Sequence, residues 1–189
     1  MRVPGSVLAL FAAICIFCTA CGCLGPSPPP DDGGEGITPV NEAEPQGPRT
    51  LTGALADLDL LLAEGRLNLT NTTLHQVIGT GVDLDGRASA WILGLRDGGE
   101  VRWLTFGISG WKEVKLAAPL PAEEVLFDGV LSPEALLAAE NRVLAPVMER
   151  LGADTVDLAL GEGVYTVTVR SDTGMETLLF RADTGEVIG

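Results

Sequence analysis

The sequence predicts an α+β protein made of two tandem α-β-β-β(-β) repeats, each an antiparallel sheet covered on one face by a helix. Three observations carry that expectation. The first is an internal repeat: Trp91–Phe106 and Tyr165–Phe180 both read as apolar strand, polar turn, apolar strand, and Arg96, Leu104 and Phe106 recur as Arg170, Leu178 and Phe180. The offset is constant, since 165 − 91 = 74 and 180 − 106 = 74. The second is strict alternation in Tyr165–Arg170, which sends Tyr165, Val167 and Val169 to one face and Thr166, Thr168 and Arg170 to the other. The third is a stretch of helical spacing ahead of each hairpin, which supplies the layer that an apolar sheet face requires.

In chain order, residues 1–20 form an export signal: Arg2 is the positive start, and Val7–Phe17 is an apolar run shorter than an ordinary membrane span. Residues 21–50 are rich in Pro, Gly and acids and nearly devoid of large apolar side chains, so they are expected to be a disordered tether. The first repeat occupies 51–120. Leu55, Leu58, Leu61 and Leu62 predict a helix over Thr52–Glu64, with Thr52 as N-cap and Gly65 as stop. Strands are expected at Thr72–Gly79, Ala88–Arg96, Val101–Ile108 and Trp111–Leu116, with a hairpin turn at Asp97-Gly98-Gly99-Glu100. The pair Pro119 and Pro121 marks the boundary between repeats.

The second repeat occupies 121–189. Ser132-Pro133-Glu134 is a helix start: a capping hydroxyl, a proline whose missing donor costs nothing there, and an acid that suits the helix dipole. Leu136, Leu137, Val143, Leu144, Val147, Met148 and Leu151 form its apolar stripe, and Gly152 ends it. Pro146 inside the stripe should kink this helix or divide it. Strands follow at Thr155–Leu160, Val164–Arg170 and Glu176–Ala182, with a short fourth at Glu186–Ile188. Each repeat alone is near the lower size limit for a stable core, so the two are expected to stack or to join sheets.

Composition narrows the function. Lys and Arg number 12 against 26 Asp and Glu, a formal net charge of −14, and no basic stripe is present, which argues against nucleic acid as a partner. All four cysteines, Cys15, Cys18, Cys21 and Cys23, lie near the N-terminus, so neither a disulfide framework nor a cysteine zinc site is expected in the folded part.

Three resemblances sharpen the picture. Thr19-Ala20-Cys21 after the apolar run resembles the lipobox of prokaryotic lipoproteins, which implies cleavage before Cys21 and lipid attachment to its sulfur, with Cys23 as the alternative. The protein would then sit at the outer face of the membrane, or be secreted if it is not lipidated. From Ser132 onward, the helix, the paired strands and the closing Thr184-Gly185-Glu186-Val187 resemble the PepSY family, whose modules occur in propeptides of secreted metallopeptidases and in exported proteins. Arg181 stands where members commonly carry an Asp. The tandem arrangement is also similar in topology to the secreted β-lactamase inhibitor protein. These resemblances imply a non-catalytic module that binds or restrains an extracellular or envelope protein, with a peptidase as one partner class; a structural component of the cell envelope is the alternative.

The remaining motifs have plain explanations. Asp172-Thr173-Gly174 and Asp183-Thr184-Gly185 resemble the triplet of aspartic peptidases, yet they are eleven residues apart (183 − 172 = 11). Along one extended strand that is about 30 Å, too far for two carboxylates to share a proton. Hairpin turns are the expected role. Asp83-Leu84-Asp85-Gly86 begins like a calcium loop, but Gly94 stands where the closing Glu would be, so a surface turn is expected. His75 is the only histidine, which leaves zinc sites and triads without a partner. No catalytic, cofactor or metal residue is therefore assigned. Asn68-Leu69-Thr70 and Asn71-Thr72-Thr73 are glycosylation sequons. Trp91 and Trp103 are expected to share one core face, whereas Trp111, together with Thr166, Thr168 and Arg170 on the wet strand face, is a candidate partner contact.

Overall fold

The computed structural model describes residues 47–188. The signal segment, Cys21, Cys23 and all but the end of the tether stretch lie outside the described residues. Arg49–Thr50 forms a two-residue strand, β1, and Thr50 Oγ1 then accepts the Gly53 N–H at 3.1 Å, opening helix α1, Leu51–Ala63. The N-cap is thus Thr50 and not Thr52. Moving the cap two residues earlier brings Leu51 into the first turn, where it is buried; Ala54 and Leu58 further along the helix are buried too.

Strands β2 (Thr72–Val82), β3 (Arg87–Ala88), β4 (Ala90–Asp97), β5 (Glu100–Gly107) and β6 (Gly110–Val114) complete the first repeat. The second consists of helices α2 (Pro133–Ala139) and α3 (Asn141–Leu151) and strands β7 (Val156–Gly161), β8 (Val164–Ser171), β9 (Gly174–Arg181) and β10 (Val187–Ile188). Ser132 caps α2 by accepting the Ala135 N–H at 3.2 Å, and left-handed Gly152, at φ 67°, closes α3. The second helical stretch is divided, but at Glu140, and α3 continues through Pro146.

The two repeats join a single eight-stranded antiparallel sheet in the order β10-β9-β8-β7-β2-β4-β5-β6, and β1 pairs with β3 in a small second sheet. The fold is α+β. The repeat seen in the sequence is kept in the register: Trp91 faces Phe106 and Leu93 faces Leu104, just as Tyr165 faces Phe180 and Val167 faces Leu178. The first strands follow a different offset, because Val77 faces Leu93 while Leu158 faces Val167, and 158 − 77 = 81. The connection before β4 is therefore seven residues longer (81 − 74 = 7) than the turn before β8.

With that offset Ile78 corresponds to Ala159, and these two residues face each other where β2 meets β7. A pseudo-two-fold axis thus passes through the Ile78–Ala159 pair and relates the repeats. The helix starts obey it too: Trp91 Nε1 donates to Arg49 O at 2.8 Å and Tyr165 OH donates to Leu131 O at 2.6 Å. In each case the acceptor is the residue just before the N-cap, Thr50 or Ser132.

One face of the sheet carries the core. Val77, Trp91, Leu93, Leu104, Phe106, Leu158, Tyr165, Val167 and Phe180 are buried in one continuous cluster with Leu58 of α1, Leu136 of α2 and Leu144 of α3. The hydrophobic effect of that one layer holds both repeats. On the other face, the segment after β6 lays Leu120 and Pro121 on the strands as a strap, and by Val125 the chain has joined the core cluster. Leu120 Cδ2 lies 2.3 Å from where a Gly94 Cβ would stand, and Pro121 Cγ lies 3.2 Å from that of Gly161, so glycine at both places lets the strap reach the strands. Trp103, 2% exposed, lies on this strap face and Trp91 on the helix face; the expectation of a shared face is corrected by the register, which sets Trp103 an odd number of positions from Phe106, the partner of Trp91.

Candidate functional site

The strap touches the second repeat at Gly161 of β7, and beyond it the outer face of β8 and β9 leaves Arg170, Met175, Thr177 and Leu179 exposed. By the 74-residue offset, Thr168 and Thr177 hold the places of Gly94 and Trp103 (168 − 94 = 74 and 177 − 103 = 74). In the first repeat those places lie beneath Leu120; in the second the two threonines are joined to each other, Oγ1 to Oγ1 at 3.3 Å. Thr166 faces Leu179 and Arg170 faces Met175 on the same surface. Met175, Leu179 and Ile188 are 64%, 37% and 39% exposed, which gives this polar face an apolar edge. A groove of about 380 Å³ runs beside it, lined by Val164, Arg181, Ala182 and Ile188.

Charges on this face are loosely held. Arg170 reaches Asp157 only at 4.0 Å, and Arg181 donates to the Asp183 carboxylate at 3.4 Å. That hydrogen bond is the main reason Asp183 titrates below the usual carboxylate range. Exposed pairs of this kind contribute little to stability and can exchange for a partner's charges.

The sequence-predicted site residues separate into two groups. Thr166, Thr168 and Arg170 stand together on the open face, the threonines half-buried and the arginine exposed. Trp111 does not join them. Its ring packs at 5.3 Å against Phe106, and its Nε1 donates to Ala54 O at 2.7 Å, which fixes α1 to the sheet edge. A cleft of about 210 Å³ beside it is lined by Leu61, Arg66 and Lys112, below the ~300–1,000 Å³ of small-molecule sites.

Asp172 and Asp183 lie in the turns at opposite ends of β9. Thr173 Oγ1 donates to Leu151 O at 2.8 Å, tying the first turn to the end of α3. Asp83 accepts the Arg87 N–H at 2.8 Å and Asp85 pairs with the Arg87 guanidinium at 3.2 Å, closing the turn between β2 and β3. His75 sits at a bulge of β2 with Nε2 3.0 Å from Thr73 Oγ1, and its Nδ1 lies 3.1 Å from Pro121 O, so that Nδ1 donates to the carbonyl. Asn68 and Asn71 are both exposed on the loop between α1 and β2. Among the described residues no helix is long and apolar enough to cross a membrane.

Sequence reasoning missed the strap and the row of residues beneath it. The signal was present in Gly94 and Gly161, glycines inside strands that mark a close approach of other chain segments. Comparison with known proteins gives little beyond this geometry. No family model matches the chain. No curated protein matches it either. Among solved structures it is similar to a candidate lipoprotein from Clostridium difficile 630, at 11% identity and a TM-score of 0.45 over 76% of this chain and 93% of that one.

Proposed function

We propose that this chain is an exported, lipid-anchored, non-catalytic binding module that engages an extracellular or envelope protein through the outer face of β7–β9. The observation that carries the reading is the asymmetry of the repeats: the face covered by the strap in the first is bare in the second, at Thr168 and Thr177. Exposed apolar side chains gathered on one face mark interaction surfaces more often than isolated ones do, and Met175, Leu179 and Ile188 are gathered here. The strand edges suit this purpose less well. β6 presents Lys112 and Glu113, and β10 is two residues long, both features that discourage pairing of another strand. A secreted peptidase is the partner class implied by the PepSY resemblance, and the segment before Cys21 reads as the export signal, with the sulfur of Cys21, or of Cys23, as the acceptor for a lipid.

A photo-crosslinking amino acid at Thr168 of the full-length chain in intact cells tests the surface. An adduct with a different protein is expected from position 168 and not from Glu149 on the exposed side of α3. Equal adducts from both positions, or none from 168, would overturn the reading; adducts only with copies of itself would favour an envelope assembly component instead. Mass spectrometry of the mature N-terminus tests the anchor, with a lipid-modified Cys21 as the expected result and an unmodified N-terminus as the contrary one.

A further inference from the structure

We infer that Asn68 carries a covalently attached glycan and that the adjoining sequon at Asn71 does not. The two sequons, Asn68-Leu69-Thr70 and Asn71-Thr72-Thr73, stand side by side between α1 and β2. In each the acceptor is defined by two groups, the side-chain amide of the asparagine and the hydroxyl two residues on. Leu67 and Leu69 pack against the core cluster, whereas Asn68 and Thr70 are exposed, so both groups of the first sequon lie at the surface on a firmly held segment. The Thr70 N–H donates to Asn68 Oδ1 at 2.9 Å, an Asx-turn that draws the amide toward the threonine and leaves Nδ2 unengaged. The Thr70 hydroxyl makes no hydrogen bond among the described residues.

The second sequon is open at its asparagine and closed at its threonine. Asn71 is exposed, but it takes a left-handed backbone at φ 63°, which asparagine adopts more readily than most residues, so the turn supplies its own reason for that side chain. Thr73 is half-buried and already in the ladder, paired with Arg96. Its hydroxyl donates to His75 Nε2 at 3.0 Å, because Nδ1 is the nitrogen that donates to Pro121 O. Thr72 Oγ1 donates to Leu69 O at 2.7 Å and its N–H to the same carbonyl at 3.2 Å, which fixes the turn between the sequons. Freeing the Thr73 hydroxyl would break its bond to His75 at the start of β2. In the transfer, Nδ2 of Asn68 bonds to the anomeric carbon of a glycan carried on a lipid phosphate. The bond from that carbon to the phosphate oxygen breaks, the lipid phosphate leaves with the electron pair, and the amide proton passes to a base of the transferase. The export signal read in residues 1–20 directs the chain to the membrane that holds such a donor.

The inference does not depend on the open face of β8 and β9. Arg102 Nη1 donates to Asn68 O at 3.1 Å, which sets the loop beside β5, far from β8 in the sheet order. For the test, the full-length chain is isolated from the membranes of the cells that make it, digested with trypsin and mapped by mass spectrometry with electron-transfer fragmentation. Cleavage after Arg66 and Arg87 gives one peptide, residues 67–87, that contains both asparagines. A glycan mass is expected on Asn68, with Asn71 unmodified. Asn68→Gln and Thr70→Ala should each remove the added mass. Thr70→Ser, which restores the hydroxyl, should keep it, and so should Asn71→Gly, because glycine suits the left-handed backbone there. A bare Asn68 in the wild-type chain would overturn the inference, as would a glycan on Asn71 or an added mass on this peptide that survives Asn68→Gln.

Discussion

At the scale of single residues, the two repeats use different aromatics for one task. Trp91 and Tyr165 each pass beneath a helix start and donate to the carbonyl just ahead of its cap. Tyr165→Phe should remove that bond from the half-buried Leu131 O, at a cost of about 1 kcal/mol measurable by urea denaturation. The Tyr165 hydroxyl itself titrates far above its usual range, because burial disfavours the phenolate and the charge of Glu134 adds to the effect. At the sheet edge, Arg102 donates to Glu113 through Nε at 3.1 Å and Nη2 at 2.9 Å and also reaches Asp97 at 3.2 Å. The hydrogen bond from Arg102 is the main cause that holds Glu113 below its ordinary value. A depressed carboxyl contributes stability above its unfolded value, which is about 4.3 for Glu, and loses it as pH falls through the folded one. The carboxyl-carbon NMR titration of Glu113 should therefore have its midpoint below that of a free Glu, and Arg102→Gln should move it upward.

At the scale of elements, the paired helix starts make a matched prediction. Thr50 and Ser132 occupy equivalent places and each accepts the N–H three residues on. Thr50→Ala and Ser132→Ala should each cost about 1 kcal/mol, read from thermal or urea melts, and leave the folded structure otherwise unchanged. Much of this level was legible in the sequence. The 74-residue offset already contained the register of both hairpins, because a strand's two-residue period and a tight turn leave little freedom once the apolar set is given. The wet face with Thr166, Thr168 and Arg170 was legible for the same reason. Other features depended on contacts between distant segments and left only faint local marks. Trp91 and Trp103 look alike in sequence, but their faces are decided by counting from Phe106 across a turn. Nothing near Pro119 or Pro121 says that this boundary lies across a sheet; the matching marks are Gly94 and Gly161, far away along the chain. Pro146 signalled an interruption, yet the division falls at Glu140, where the cap N–H returns to Leu136 O and a new helix starts.

At the scale of the whole molecule, the junction of β2 with β7 decides how the protein unfolds. Each repeat on its own is about seventy residues with one layer of helix, a size at which a hydrophobic core rarely supplies enough stability. Pairing the first strand of each repeat about the Ile78–Ala159 axis puts both strands in the middle of the sheet and merges the two cores into one cluster. Neither repeat can then open without exposing the apolar surface of the other. Unfolding should accordingly be a single cooperative transition, with amides of β2 and β7 exchanging only through global opening and those of β10, at the edge, exchanging fastest. Leu104 of the first repeat and Leu158 of the second are both almost fully buried, so Leu104→Ala and Leu158→Ala should each lower stability by about 2–5 kcal/mol. If the repeats are one unit, either substitution will reduce the protection of β2 and β7 amides equally, including those in the repeat it does not touch. Hydrogen exchange with mass-spectrometric or NMR detection makes that comparison directly. Protection lost in the mutated repeat alone, or a melt resolved into two transitions, would show two domains that merely share a ladder.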